Sequence, residues 1–139
     1  LLALAAELAE AERLAESSRL RVLRDRLVEG IRARVPAVVL LGDPDPAGRL
    51  PGNAHLLFPG APSESLLFLL DQAGISASAG SACQAGIAEP SHVVQALGRS
   101  ETEARSVIRF TLGRTSTAAD VEALLAVIGD AYRRASGSR

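Results

Sequence analysis

The 139 residues contain a single cysteine, Cys83, in the run "SASAGSACQAG" from Ser76 to Gly86. A thiolate is a potent nucleophile, but an ordinary thiol ionises near about 8.5, so a working one needs an activating partner at neutral pH. The commoner fate of a lone cysteine is burial as a small, inert apolar side chain. The neighbours of Cys83 argue against that fate. They are small or polar, and none is a large apolar side chain that would build a pocket. Gly80 and Gly86 bracket the segment, and glycine admits several backbone conformations. The reading is an accessible thiol. With one cysteine, neither an internal disulfide nor a Cys-x-x-Cys exchange pair can form.

Arg109 is the second candidate. In "SVIRFTL" (Ser106–Leu112) the alternation puts Ile108, Phe110 and Leu112 on one side and Val107, Arg109 and Thr111 on the other. An arginine there is either a solvated residue on an open face or a fork-shaped clamp for a carboxylate held on a rigid support. Periodicity alone leaves both open. Arg114, in "LGRTST", precedes a helix and reads as structural, and the small-residue run before Cys83 is too common a pattern to assign an anion nest. His55 and His92 with one cysteine make no recognisable metal spacing. His92 reads as packing or capping a helix start, and His55, on a strand, as open to solvent.

Several elements must position these groups. Leu1 to about Arg34 reads as one long helix ended by Pro36, with an apolar stripe at Leu20, Leu23, Leu27 and Ile31. A fainter stripe runs through Leu1, Leu4, Leu8 and Ala11. Ala37–Gly42 and Asn53–Phe58 read as strands, separated by the turn-rich "DPDPAGRLPG". A helix over Glu64–Ala73 follows, with Ser63 as N-cap and Gly74 closing it. Ile75–Ser78 is a short candidate strand. Pro90–Leu97 reads as a short helix, and Ser100 with Glu103 as a capping box for another turn or two. Thr117 and Asp120 cap a last helix whose apolar face holds Val121, Leu124, Leu125 and Ile128. This predicts an α+β (α/β) fold: a small open sheet of three or four strands packed with helices, behind a long N-terminal helix.

Composition bounds the rest. Apolar residues make up 47% and aromatics 3%, so the core must be aliphatic. A net charge of −1 gives no electrostatic reason to expect nucleic acid or an anionic membrane. No apolar run approaches the roughly 18 residues that span a bilayer. The N-terminal segment carries Glu7, Glu10 and Glu12 without a basic leader, unlike a signal peptide. A cytoplasmic location is the expectation. All 15 basic residues are arginine, and there is neither lysine nor methionine. A chain starting at Leu1 inside a helical pattern reads as a piece of a longer protein.

Four blocks in order carry a family resemblance: "LPGNAHLLF", "SAGSAC", "EPSHVVQALG" and "IRFTLGRTST". With the arginine-rich "SSRLRVLRDRLVEGI", they make essentially the whole chain resemble the C-terminal part of the cysteine desulfurases. These are pyridoxal-phosphate enzymes of the aminotransferase class V fold. The "GSAC" loop resembles the group serving iron–sulfur cluster assembly and nitrogen fixation. His55, where asparagine is more usual, and Gly52, where the family varies, are small departures.

The resemblance implies removal of sulfur from L-cysteine, leaving L-alanine and a persulfide on Cys83. An iron–sulfur scaffold or sulfur-carrier protein would then accept the sulfur. It implies that Arg109 clamps the substrate carboxylate. Residues 1–139 would form a single C-terminal small domain, with residues 1–34 leading into it and residues 76–90 as a mobile cysteine loop. A large upstream domain would supply the lysine and most groups that hold pyridoxal 5'-phosphate, along with most of a homodimer interface. This stretch alone would be inactive, with no cofactor-binding residue and no metal. The alternatives are a stand-alone sulfur carrier, or part of a selenocysteine lyase or class V aminotransferase.

Overall fold

Pro36 decides where the first helix stops. In a computed structural model, which describes residues 2–42, 51–79 and 101–137, α1 spans Leu2–Arg34 and so runs about 50 Å. Among its described side chains, the buried ones lie in the C-terminal half. Leu27, Val28 and Ile31 are buried, and Leu23 lies against the same core. Of the fainter N-terminal stripe, Leu8 is 58% exposed and Ala11 is exposed too. Two i,i+3 pairs add to the helix there, Arg13–Glu10 at 2.6 Å and Arg19–Glu16 at 2.8 Å.

Three antiparallel strands follow in the order β1 (Val39–Leu41), β2 (Asn53–Leu57) and β3 (Val107–Thr111). Both β1 and β2 are shorter than the sequence suggested, since ladder pairing ends before the flanking apolar residues do. Helix α2 (Ser63–Gln72), the single turn α3 (Glu101–Ala104) and α4 (Ala118–Ala135) complete the described elements. Ala54, Leu56, Ile108 and Phe110 turn one sheet face into the main core, under α1, α2 and α4. Phe58 sits at its centre, edge-on to Phe110 with ring centroids 6.5 Å apart. Gly30 lets α1 and α4 meet, because a Cβ there would collide with the Leu125 side chain.

The N-terminus and the apolar face of α4 behave as predicted. Thr117 and Asp120 form a reciprocal capping box, and Val121, Leu124, Leu125 and Ile128 are buried. Arg19 ties α1 to the turn before that helix, donating to the carbonyls of Gly113, Arg114 and Ser116. Arg114 itself is exposed and enters this turn through its backbone.

Ser63 corrects the sequence reading. It is the first residue of α2, not its cap; Pro62 holds the cap position, and no side chain caps that end. The Ser63 hydroxyl instead lies 2.6 Å from the Arg105 carbonyl and 2.9 Å from that of Val107, in a buried setting. One hydroxyl proton serves these two acceptors. Ser63 is thus a clamp between α2 and the outer edge of β3. Ser63→Ala is expected to destabilise the fold by about 1–3 kcal/mol, because the buried Val107 carbonyl loses this donor while that of Arg105 keeps the Ser63 N–H. Chemical denaturation of the full-length protein would measure it, with an unchanged midpoint counting against the clamp. At the other end of α2, Gly74 closes the helix at φ +82°, a left-handed backbone that suits glycine. The expected Pro90–Leu97 helix and Ser100, the proposed cap of α3, lie outside the described residues.

Candidate active site

The second sheet face is divided. At one end Leu57 and Val107 are buried with Ala104 in a small apolar cluster, to which Leu41, opposite His55 in the register, also belongs. At the other end stand polar residues of the same face: Asn53 and His55 from β2, Arg109 and Thr111 from β3. The predicted open face is therefore half closed, and Arg109 lies where the apolar cover stops.

The strand gives Arg109 a fixed base. Its N–H donates to the Ser78 carbonyl at 2.6 Å, and its own carbonyl accepts from the Ser78 N–H at 3.1 Å. The candidate strand Ile75–Ser78 thus reduces to this one bridge. On the other side the register sets Arg109 opposite His55. Arg109 is half-buried, and its Nε is buried without a hydrogen-bond partner. Such an arrangement leaves a guanidinium with unspent donors on a rigid support, which suits recognition of a planar anion.

His55 is half-buried, contrary to the solvent-facing expectation. Burial pushes its pKa below the ordinary histidine value, and the positive charge of Arg109 pushes it further the same way. The imidazole is therefore neutral at pH 7. Sequence reasoning weighed His55 as a metal ligand, a surface residue and a small departure from the family pattern, and gave it no role at the site. Its alternation with Ala54 and Leu56 marked the face, but nothing local marked Arg109 as its neighbour.

Cys83 and His92 lie outside the described residues. Ser78, five positions before Cys83, is the described residue that ties the cysteine-bearing segment to β3, and Ala79 beyond it is buried. Among the described residues there is no cluster of three or more His, Cys, Asp or Glu side chains that would hold a metal, and no helix long and apolar enough to cross a membrane.

The donor set also tests the cofactor that the resemblance implies. Pyridoxal phosphate is held through a lysine amine, and the sequence contains no lysine. These residues do not fit a covalent cofactor site.

The family model for aminotransferase class-V matches residues 1–124. An IscS-like cysteine desulfurase of Mycobacterium tuberculosis is 53% identical over 119 residues, covering 86% of this chain and 30% of that protein. The cysteine desulfurase NifS of Azotobacter vinelandii is 41% identical over 110 residues, covering 79% of this chain and 27% of that protein. The fold is similar to that of a NifS-like protein from Rickettsia africae, with a TM-score of 0.72 at 24% identity over 85% of this chain and 29% of the other. The chain thus spans about 30% of the length of the curated relatives it matches.

Proposed function

The chain belongs to the aminotransferase class-V family, and on that premise we propose that it is the C-terminal small domain of a cysteine desulfurase. Arg109 holds the carboxylate of L-cysteine, and Cys83 receives the sulfur. In the net reaction the Cys83 thiol and L-cysteine give a persulfide and L-alanine. A sulfur–sulfur bond forms, the substrate carbon–sulfur bond breaks, and the carbon takes up a proton. The two sulfurs are oxidised as the carbon is reduced, so no outside oxidant is needed. The lysine and the cofactor-holding groups belong to the part of the relatives that this chain does not span. The homodimer contacts lie mainly there too. The persulfide then passes to an iron–sulfur scaffold or a sulfur-carrier protein.

The observation that carries this reading is the Ser78–Arg109 bridge. It anchors the cysteine-bearing segment on the same residue that would bind the substrate. Five residues of chain reach at most roughly 17 Å, so Cys83 is tethered within range of a carboxylate held at Arg109. Small residues along that tether add little bulk to obstruct an approach to the substrate sulfur.

Incubating the full-length protein with L-cysteine and measuring peptide masses tests the assignment. The peptide containing Cys83 is expected to gain sulfur, and that gain to vanish on reduction. Alanine formation with no sulfur added to that peptide would move the acceptor elsewhere.

A further inference from the structure

The hydrogen-bond parity of β3 singles out one neighbour of Arg109. Phe58 donates to Ser106 at 2.8 Å and Leu112 to Gly52 at 2.7 Å, so the even-numbered residues of β3 face the β2 backbone. Arg109 is odd and spends its backbone groups on Ser78. Its pairing with His55 is therefore of the non-hydrogen-bonded kind, in which opposed Cα atoms stand about 4.5 Å apart and side chains lie closest. Asn53, diagonal to Arg109 on the same face, is roughly 7–8 Å away by the same geometry. Ser78, a hydrogen-bonded partner, lies about 5.5 Å away with a much shorter side chain.

We propose that His55 is a positioning residue: with substrate bound, its ring takes up the Nε–H of Arg109, a bond these two side chains do not make in this structure, and so turns the two Nη groups outward as a fork for a carboxylate. The inference rests on the reading of Arg109 as the substrate clamp. Three observations meet in it. The Nε of Arg109 is buried and unpartnered, so it needs an acceptor that water does not supply. His55 is the side chain set directly against it. Burial and the adjacent charge keep that imidazole neutral, and a neutral imidazole keeps one acceptor nitrogen. Arginine has five N–H donors in a planar fork. With Nε held by His55, the outer pair is presented in a single orientation.

The test uses the full-length protein and two probes, L-cysteine and cysteamine, which is the same molecule without its carboxylate. His55→Leu removes the acceptor, and His55→Phe is a second apolar variant should the first be too unstable to purify. His55→Gln restores an acceptor of similar reach. Loss of the acceptor is expected to raise the KM for L-cysteine on the order of tenfold, with kcat changed less than about twofold. Cysteamine binding should be unmoved, and His55→Gln should recover most of the KM. The proposal is overturned if both probes weaken together, if His55→Gln is no better than the apolar variants, or if KM does not change. Arg109→Ala, run alongside, separates the two readings. If it leaves the preference for L-cysteine over cysteamine intact, the clamp itself is wrong and His55 falls with it. If it abolishes that preference while the His55 variants do not, only the role of His55 is lost.

Discussion

Cys83→Ala in the full-length protein abolishes sulfur delivery from L-cysteine while leaving the cofactor bound. The expectation follows from the reading of Cys83 as the acceptor: it is the one thiol in these 139 residues, and neither serine nor alanine in the same run forms a persulfide. Removing a covalent nucleophile costs on the order of a thousandfold or more in rate. Sulfide released under reducing conditions would measure the loss, and the cofactor's absorbance would report whether its site survives. Cofactor binding should persist because, on this reading, the groups that hold the cofactor lie outside these residues and Cys83 acts on the substrate sulfur. Sulfur delivery retained by the variant would remove Cys83 from the acceptor role.

Arg109→Ala has the second largest expected effect, a rise in the KM for L-cysteine. A charged hydrogen-bonded pair contributes about 1.5–3 kcal/mol, which corresponds to roughly tenfold to hundredfold in KM. The fold should survive, since the strand is held by backbone bonds to Ser78 and by the buried neighbours Ile108 and Phe110. Arg109→Lys is expected to recover only part of the loss, because an ammonium keeps the charge without the planar fork. Steady-state kinetics on the three proteins would settle it. An unchanged KM in Arg109→Ala would make Arg109 a solvated strand residue after all.

Much of the architecture was legible because its causes are local. Pro36 stops α1 for want of an amide proton, and Thr117 with Asp120 starts α4 through bonds spanning three residues. The alternation in Ser106–Leu112 named the core-facing pair Ile108 and Phe110 correctly. The same alternation put Val107 beside Arg109 but did not show that Leu41, Leu57 and Ala104 would bury it. That burial depends largely on Leu41 and Leu57, 50 or more positions away. Ser63 illustrates a different limit. Its position before a helix matches the commonest use of serine, yet its hydroxyl reaches carbonyls more than 40 positions away.

By itself the sequence determined the candidate chemistry: a thiol among small residues, an arginine inside an apolar strand, and motif blocks whose order points to one family. Only the tertiary structure decided who stands next to whom. Antiparallel register brought His55 against Arg109 and the start of the cysteine segment against the same residue. Register is set by contacts between strands some 50 residues apart, and a slip of one position would turn each side chain to the opposite face. No periodicity within a single strand carries that information.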